Sequence, residues 1–115
     1  MRAISPKLRK EMSDDPYYSK CCLSGTSYGK IDWHHNLIFA GRQVNEPWCI
    51  LPLETNLHRD IVKYKEMCDW VMLNRATDEE LKRYSKAENL TAKRDKLNKK
   101  YDIYKPERYI LQEQD

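Results

Sequence analysis

With 115 residues, 34% of them charged and 40% apolar, the chain makes one domain with a modest core, burying about two-thirds of its unfolded surface. No apolar run approaches the ~20 residues that a membrane helix needs, and residues 1–20 carry no signal-peptide core. Membrane and exported classes are therefore set aside, and a cytoplasmic protein is expected. The net charge of +3 is unevenly spread: Arg2, Lys7, Arg9 and Lys10 crowd the start, and Lys93, Arg94, Lys96, Lys99 and Lys100 crowd a late segment. Such clusters suit phosphate backbones as well as ordinary solvated helix faces.

In chain order, residues 1–16 carry Pro6 and Pro16, mixed charge and no sustained period, and read as a basic arm with at most one helical turn. Tyr17 to Leu23 is aromatic and thiol-rich, Ser24 to Gly29 supplies turn chemistry, and Lys30-Ile31-Asp32-Trp33-His34 alternates like a strand, so a hairpin is expected there. Asn36 to Ala40 is short and apolar until Gly41 breaks it. Trp48-Cys49-Ile50-Leu51 reads as another brief extended stretch that Pro52 ends or kinks.

Thr55 or Asn56 can cap a helix whose apolar positions, Ile61, Val62, Cys68, Val71 and Met72, repeat at helical spacing through Leu73, which puts His58 in its first turn. Thr77-Asp78-Glu79-Glu80 matches a capping box, so a further helix should begin near Asp78. Leu81, Tyr84, Leu90 and Leu97 form a thin apolar stripe over 78–100, fitting one bent helix or two separate ones, with dimerisation available to supplement it. Pro106 ends any helix, and a tail with Ile103, Tyr104, Tyr109, Ile110 and Leu111 is apolar enough to dock.

Cys21, Cys22, Cys49 and Cys68 include no C-x-x-C pair, and a vicinal pair does not readily close on itself, so reduced, packed thiols are expected rather than disulfides or a zinc knuckle. Trp33, Trp48 and Trp70 lie beside apolar neighbours and read as core aromatics.

The residues that bear chemistry are the histidines. All three fall in one stretch, His34 and His35 together and His58 23 residues after the pair. Imidazole is a transition-metal ligand and a base that titrates near neutrality, and a chain folding back on itself over that distance brings both ends to one site.

Cys22-Leu23-Ser24-Gly25, Asp32-Trp33-His34-His35-Asn36, Gly41-Arg42-Gln43-Val44-Asn45-Glu46-Pro47-Trp48, Ile50-Leu51-Pro52-Leu53 and His58 together resemble small phage-encoded proteins of the HNH, or ββα-metal, nuclease family, over about residues 17–62. The resemblance implies an α+β fold: a short β-hairpin plus helix around a metal, at 17–76, followed by a C-terminal helical extension and tail at 77–115. It also implies a metal-dependent DNA endonuclease or nicking enzyme active in phage recombination or DNA processing, in the cytoplasm of the host cell. His34 and His58 would bind one divalent ion, magnesium, manganese or zinc, and His35 would take a proton from water. An imidazole's unperturbed pKa of ~6.5 suits that role.

Counting nine residues back from His58, where the family carries an asparagine that orients the base, lands on Cys49, whose thiol is a poor substitute for an amide. Asn45, four residues earlier, takes that role if the loop is re-registered, and Asp32 is placed to orient a histidine ring through its second nitrogen. Lys30, Arg42 and Gln43 are the expected contacts to phosphates or bases. The displaced asparagine keeps a second reading open: an HNH scaffold without cleavage that binds DNA or a protein, such as an inhibitor or adaptor of host nucleic-acid machinery, with a host or phage protein or a second copy as partner.

Overall fold

The computed structural model describes residues 4–27 and 29–101. The expected docking of Ile103, Tyr104, Tyr109, Ile110 and Leu111 lies outside them. The fold is α+β, with one α-helix before the strands and the other α-helices following them.

Its organising unit is an antiparallel pair of strands, β1 (Ile31–His35) and β4 (Ile50–Glu54), in the register Ile31 to Glu54, Trp33 to Pro52 and His35 to Ile50. The hairpin expected between residues 17–23 and 30–34 is not formed. Residues 21–26 make a turn, closed by the Cys21 amide donating to the Thr26 carbonyl, and the Cys22 amide donates to the Pro52 carbonyl on the outer edge of β4. Five apolar and aromatic residues among the seven of 17–23 satisfied the strand pattern, but β1 gains more by pairing with β4, whose first four residues are buried.

That outer bond also explains why Pro52 neither ends nor kinks its strand, contrary to expectation. The nitrogen and carbonyl of one strand residue face the same side, so with the Pro52 carbonyl turned to Cys22 its nitrogen faces away from β1 and no ladder bond is lost.

Between the long strands, β2 (Ile38–Phe39) and β3 (Arg42–Gln43) form a minimal hairpin. Its two turn residues, Ala40 and Gly41, have φ of 53° and 77°, the paired left-handed conformation of a tight hairpin turn, which glycine adopts without strain and alanine does not.

The sheet lies between two layers. On one face Leu51 and Leu53 join Leu23, Cys68, Trp70, Val71, Leu73, Leu81 and Leu97 in the main core; on the other, Ile50 packs against Leu8, Met12 and Tyr18. The second cluster corrects the reading of residues 1–16 as an arm: Pro6–Asp14 is a helix, α1, whose N-cap Ser5 accepts from the Leu8 amide and whose Leu8 and Met12 are buried. Two apolar residues four apart were too sparse to register as a period, yet they suffice to cover one face of a two-stranded sheet.

The single helix expected from residue 55 is two: α2 (Thr55–Arg59) and α3 (Ile61–Arg75), divided at Asp60, whose φ of −101° and ψ of 33° leave the helical region. Aspartate favours helix ends over interiors because its side chain competes with the backbone for hydrogen bonds. The stretch 78–100 also resolves into two helices, α4 (Asp78–Arg83) and α5 (Leu90–Lys100). The Trp70 indole donates to Asn98 at 2.9 Å and stacks on Tyr101 at 4.8 Å, which fastens α5 to α3.

The capping box stands as expected, with the Glu80 amide donating to the Thr77 hydroxyl at 3.1 Å and the Thr77 amide to the Glu80 carboxylate at 2.9 Å. Thr77→Ala should therefore cost about 1 kcal/mol in chemical denaturation, and a change within error would show that α4 is held by packing alone.

All four cysteines are free and buried, as expected, and burial raises the thiol pKa of Cys22, Cys49 and Cys68. Among the described residues no helix is long and apolar enough to cross a membrane.

Candidate active site

Strand geometry sets the arrangement of the histidines. Side chains alternate along β1, so Asp32 and His34, opposite Leu53 and Leu51, share one face, while Trp33 and His35, opposite Pro52 and Ile50, share the other. Because β4 runs straight into α2, the helix folds back along β1 and sets His58 beside Asp32 and His34. Among the described residues no strand pairs with the outer edge of β1, and around it opens a cavity of about 770 Å³ lined by all three histidines together with Arg9, Lys30, Asp32, Trp33 and Gln43.

Hydrogen-bond partners assign the tautomers. The His35 Nε2 lies 2.7 Å from the Asn45 Oδ1, so Nε2 carries the hydrogen and Nδ1 is the basic nitrogen. The His58 Nδ1 donates to Asp32 at 3.0 Å, which leaves Nε2 with the lone pair. The His34 Nε2 donates to the Asn36 Oδ1 at 3.2 Å, leaving Nδ1.

Asn36 is itself buried, and its amide donates to Asp69 at 2.9 Å and to the Met72 sulfur. Asp69 is paired with Lys65 and, at 3.1 Å, with Lys93. A polar chain thus runs from the lysines of α3 and α5 through the core to His34.

Burial, and then the neighbouring His58, lowers the pKa of His34 to about 4 from its ordinary 6.5, so the ring is neutral at pH 7 and no proton competes for its free nitrogen. As pH falls below ~6.5 the unfolded imidazole binds a proton that the folded one refuses until about 4, so stability drops across that window. In chelator-treated protein the loss should reach about 1–2 kcal/mol, less than the full shift implies because solvent screens a partly exposed ring, and His34→Gln should flatten it. Parallel pH curves for parent and variant between 6.5 and 4 would refute this.

The His34 and His58 ring centres are 5.0 Å apart. Two imidazoles sharing one ion at ~2.0–2.1 Å each have ring centres about 5 Å apart, so this pair fits a divalent transition ion. Among the described residues no group of three or more His, Cys, Asp and Glu side chains stands in a metal-holding arrangement.

Of the residues expected from sequence, His34, His35, His58, Lys30 and Gln43 line one cavity, and Asn45 reaches it through His35. Arg42 lies instead on a neighbouring cavity of about 640 Å³, with Phe39 and Tyr84. Cys49 contributes through its backbone, its carbonyl accepting from the Asn36 amide at the end of the strand pair, while its thiol is buried. Asp32 orients His58.

Sequence reasoning missed Asn36 and Asp69, and it placed Arg9 only within the basic cluster at the start of the chain. An asparagine heading the apolar run Leu37-Ile38-Phe39 and an aspartate between Cys68 and Trp70 were the available signals, since buried polar residues stay only where something pairs with them. Trp33, expected in the core, is only partly covered and faces the cavity, unlike the buried Trp48 and Trp70.

No family model matches the chain, and no curated protein or solved structure matches it either.

Proposed function

We propose that the chain is a metal-dependent phosphodiesterase of the HNH type that cuts or nicks DNA. The observation that supports this most is the meeting of His34, His35 and His58 on one solvent-open cavity, with every ring held by a named partner. His35, with Nε2 tied to Asn45, takes a proton from water on Nδ1 and so generates the attacking hydroxide. His34 and His58 hold the ion, and Asp32 and Asn36 fix their orientations. A bound magnesium, manganese or zinc ion supplies electrostatic stabilisation of the charge that develops on the phosphate and the departing oxygen. Lys30 and Gln43 meet the strand at the rim.

The test is the purified chain on supercoiled plasmid with each of the three ions, and with chelator as the control. Nicked or linear DNA should form only with ion. Intact plasmid under all conditions removes the reading.

Two observations favour a second reading: among the described residues no group of three or more His, Cys, Asp and Glu stands in a metal-holding arrangement, and the thiol at the family's asparagine position is sealed in the core. On that reading the scaffold binds DNA or a protein partner without cutting. Plasmid that is bound, with affinity falling steeply as salt rises, but never cleaved would favour a DNA-binding module; binding that is insensitive to salt would favour a protein partner.

A further inference from the structure

The cavity has an aromatic wall that hydrolysis alone leaves unused. Trp33 sits on the same strand face as His35, two residues before it, roughly 6.6 Å along the chain. Its indole N–H donates to the Tyr18 carbonyl at 3.5 Å, and Tyr18 meets its ring edge-on with centroids 6.0 Å apart, so the ring is held in place from the protein side. From α1 the exposed Arg9 lies over the ring, its guanidinium carbon 5.7 Å from the centre, as a mobile-ended side chain that a stacked base displaces toward its own phosphate, and both residues line the cavity with His35. A tryptophan that served only to fill the small core with Leu8 and Met12 would be covered as completely as they are. Trp33 is not, and its uncovered part faces the cavity beside the base.

We propose that Trp33 and Arg9 form a stacking platform for one unpaired nucleotide, so that the substrate is DNA with an unstacked base next to the bond to be cut. This rests on the hydrolytic reading above and narrows it. Within a continuous duplex both faces of every base are covered by neighbours, and exposing one means unstacking it, whereas a single strand, flap or junction offers a base at little cost. An indole accepts any base because every base has a π face, and a nearby cation serves the phosphate of the same nucleotide. The two-residue spacing to His35 then places the adjoining phosphate within reach of the base that activates water.

The experiment is a tryptophan-fluorescence titration of the full chain in chelator, where no cleavage intervenes, with an oligothymidylate and with an abasic strand of equal length. The base-bearing strand should quench the emission and bind roughly tenfold tighter than the abasic one. Trp33→Leu should abolish that preference, and Trp33→Tyr should retain part of it. Equal affinity for the two strands, binding to neither, or an unchanged preference in folded Trp33→Leu overturns the platform. Should Trp33→Leu fail to fold, the two strands compared on the parent chain decide by themselves. The failures are separable: plasmid cleavage without base preference leaves hydrolysis standing and removes the platform, and base preference without cleavage does the reverse.

Discussion

His35→Ala should lower metal-dependent plasmid cleavage by roughly 10²–10⁴-fold, the range in which a positioned general base contributes. The imidazole lies at the open edge of β1, only partly buried, so its removal leaves both core clusters whole and the far-ultraviolet dichroism unchanged. Asn45→Ala should cost less, about tenfold, because it removes the partner that fixes the tautomer and leaves the ring. The two effects should not add, since Asn45 is hydrogen-bonded to the His35 ring. Cleavage by His35→Ala at the parental rate would remove this residue as the base, and an Asn45→Ala loss equal to that of His35→Ala would mean that the amide itself meets the substrate.

Asp69→Ala should destabilise the chain by about 3 kcal/mol in urea. The carboxylate is buried and accepts from Asn36 while pairing with Lys65 and Lys93. Without it the buried Asn36 amide loses its oxygen partner. The lysine side chains, 50% and 31% exposed, can turn to water, which keeps the cost at the low end for a broken buried pair. The same substitution reaches the site: with Asn36 unanchored the His34 ring loses its orientation, and divalent-ion affinity should fall about tenfold. Asp69→Asn keeps an acceptor for Asn36 and should cost less on both counts. A loss of stability below about 1 kcal/mol would show that the lysines and the amide find other partners, and that the chain from α3 to His34 carries no load.

These two experiments probe opposite sides of what could be read from residues alone. The α+β class, the capped start of α4 at Asp78, the reduced and packed cysteines and the grouping of three histidines near one strand and one helix start were all legible in the sequence. Each is decided by chemistry within a few residues. The Thr77 hydroxyl and Glu80 carboxylate reach only their own turn, and the alternation over 30–34 marks β1 whatever its partner.

What only the tertiary structure decided were the partners. β1 pairs with β4 across 15 to 23 residues rather than with the nearer 17–23, because β4 brings a strand that both layers bury. α1 docks through just two side chains, a signal too sparse to stand out in an unpartnered segment. Asn45, and not the residue nine before His58, meets His35, because the β2–β3 hairpin brings its flank back to the end of β1. Which nitrogen of each histidine is free depends on Asn36, Asp32 and Asn45, residues whose positions are set by packing at long range. Spacing along a chain specifies what can be close; burial of apolar surface and satisfaction of buried polar groups select which of those approaches is made.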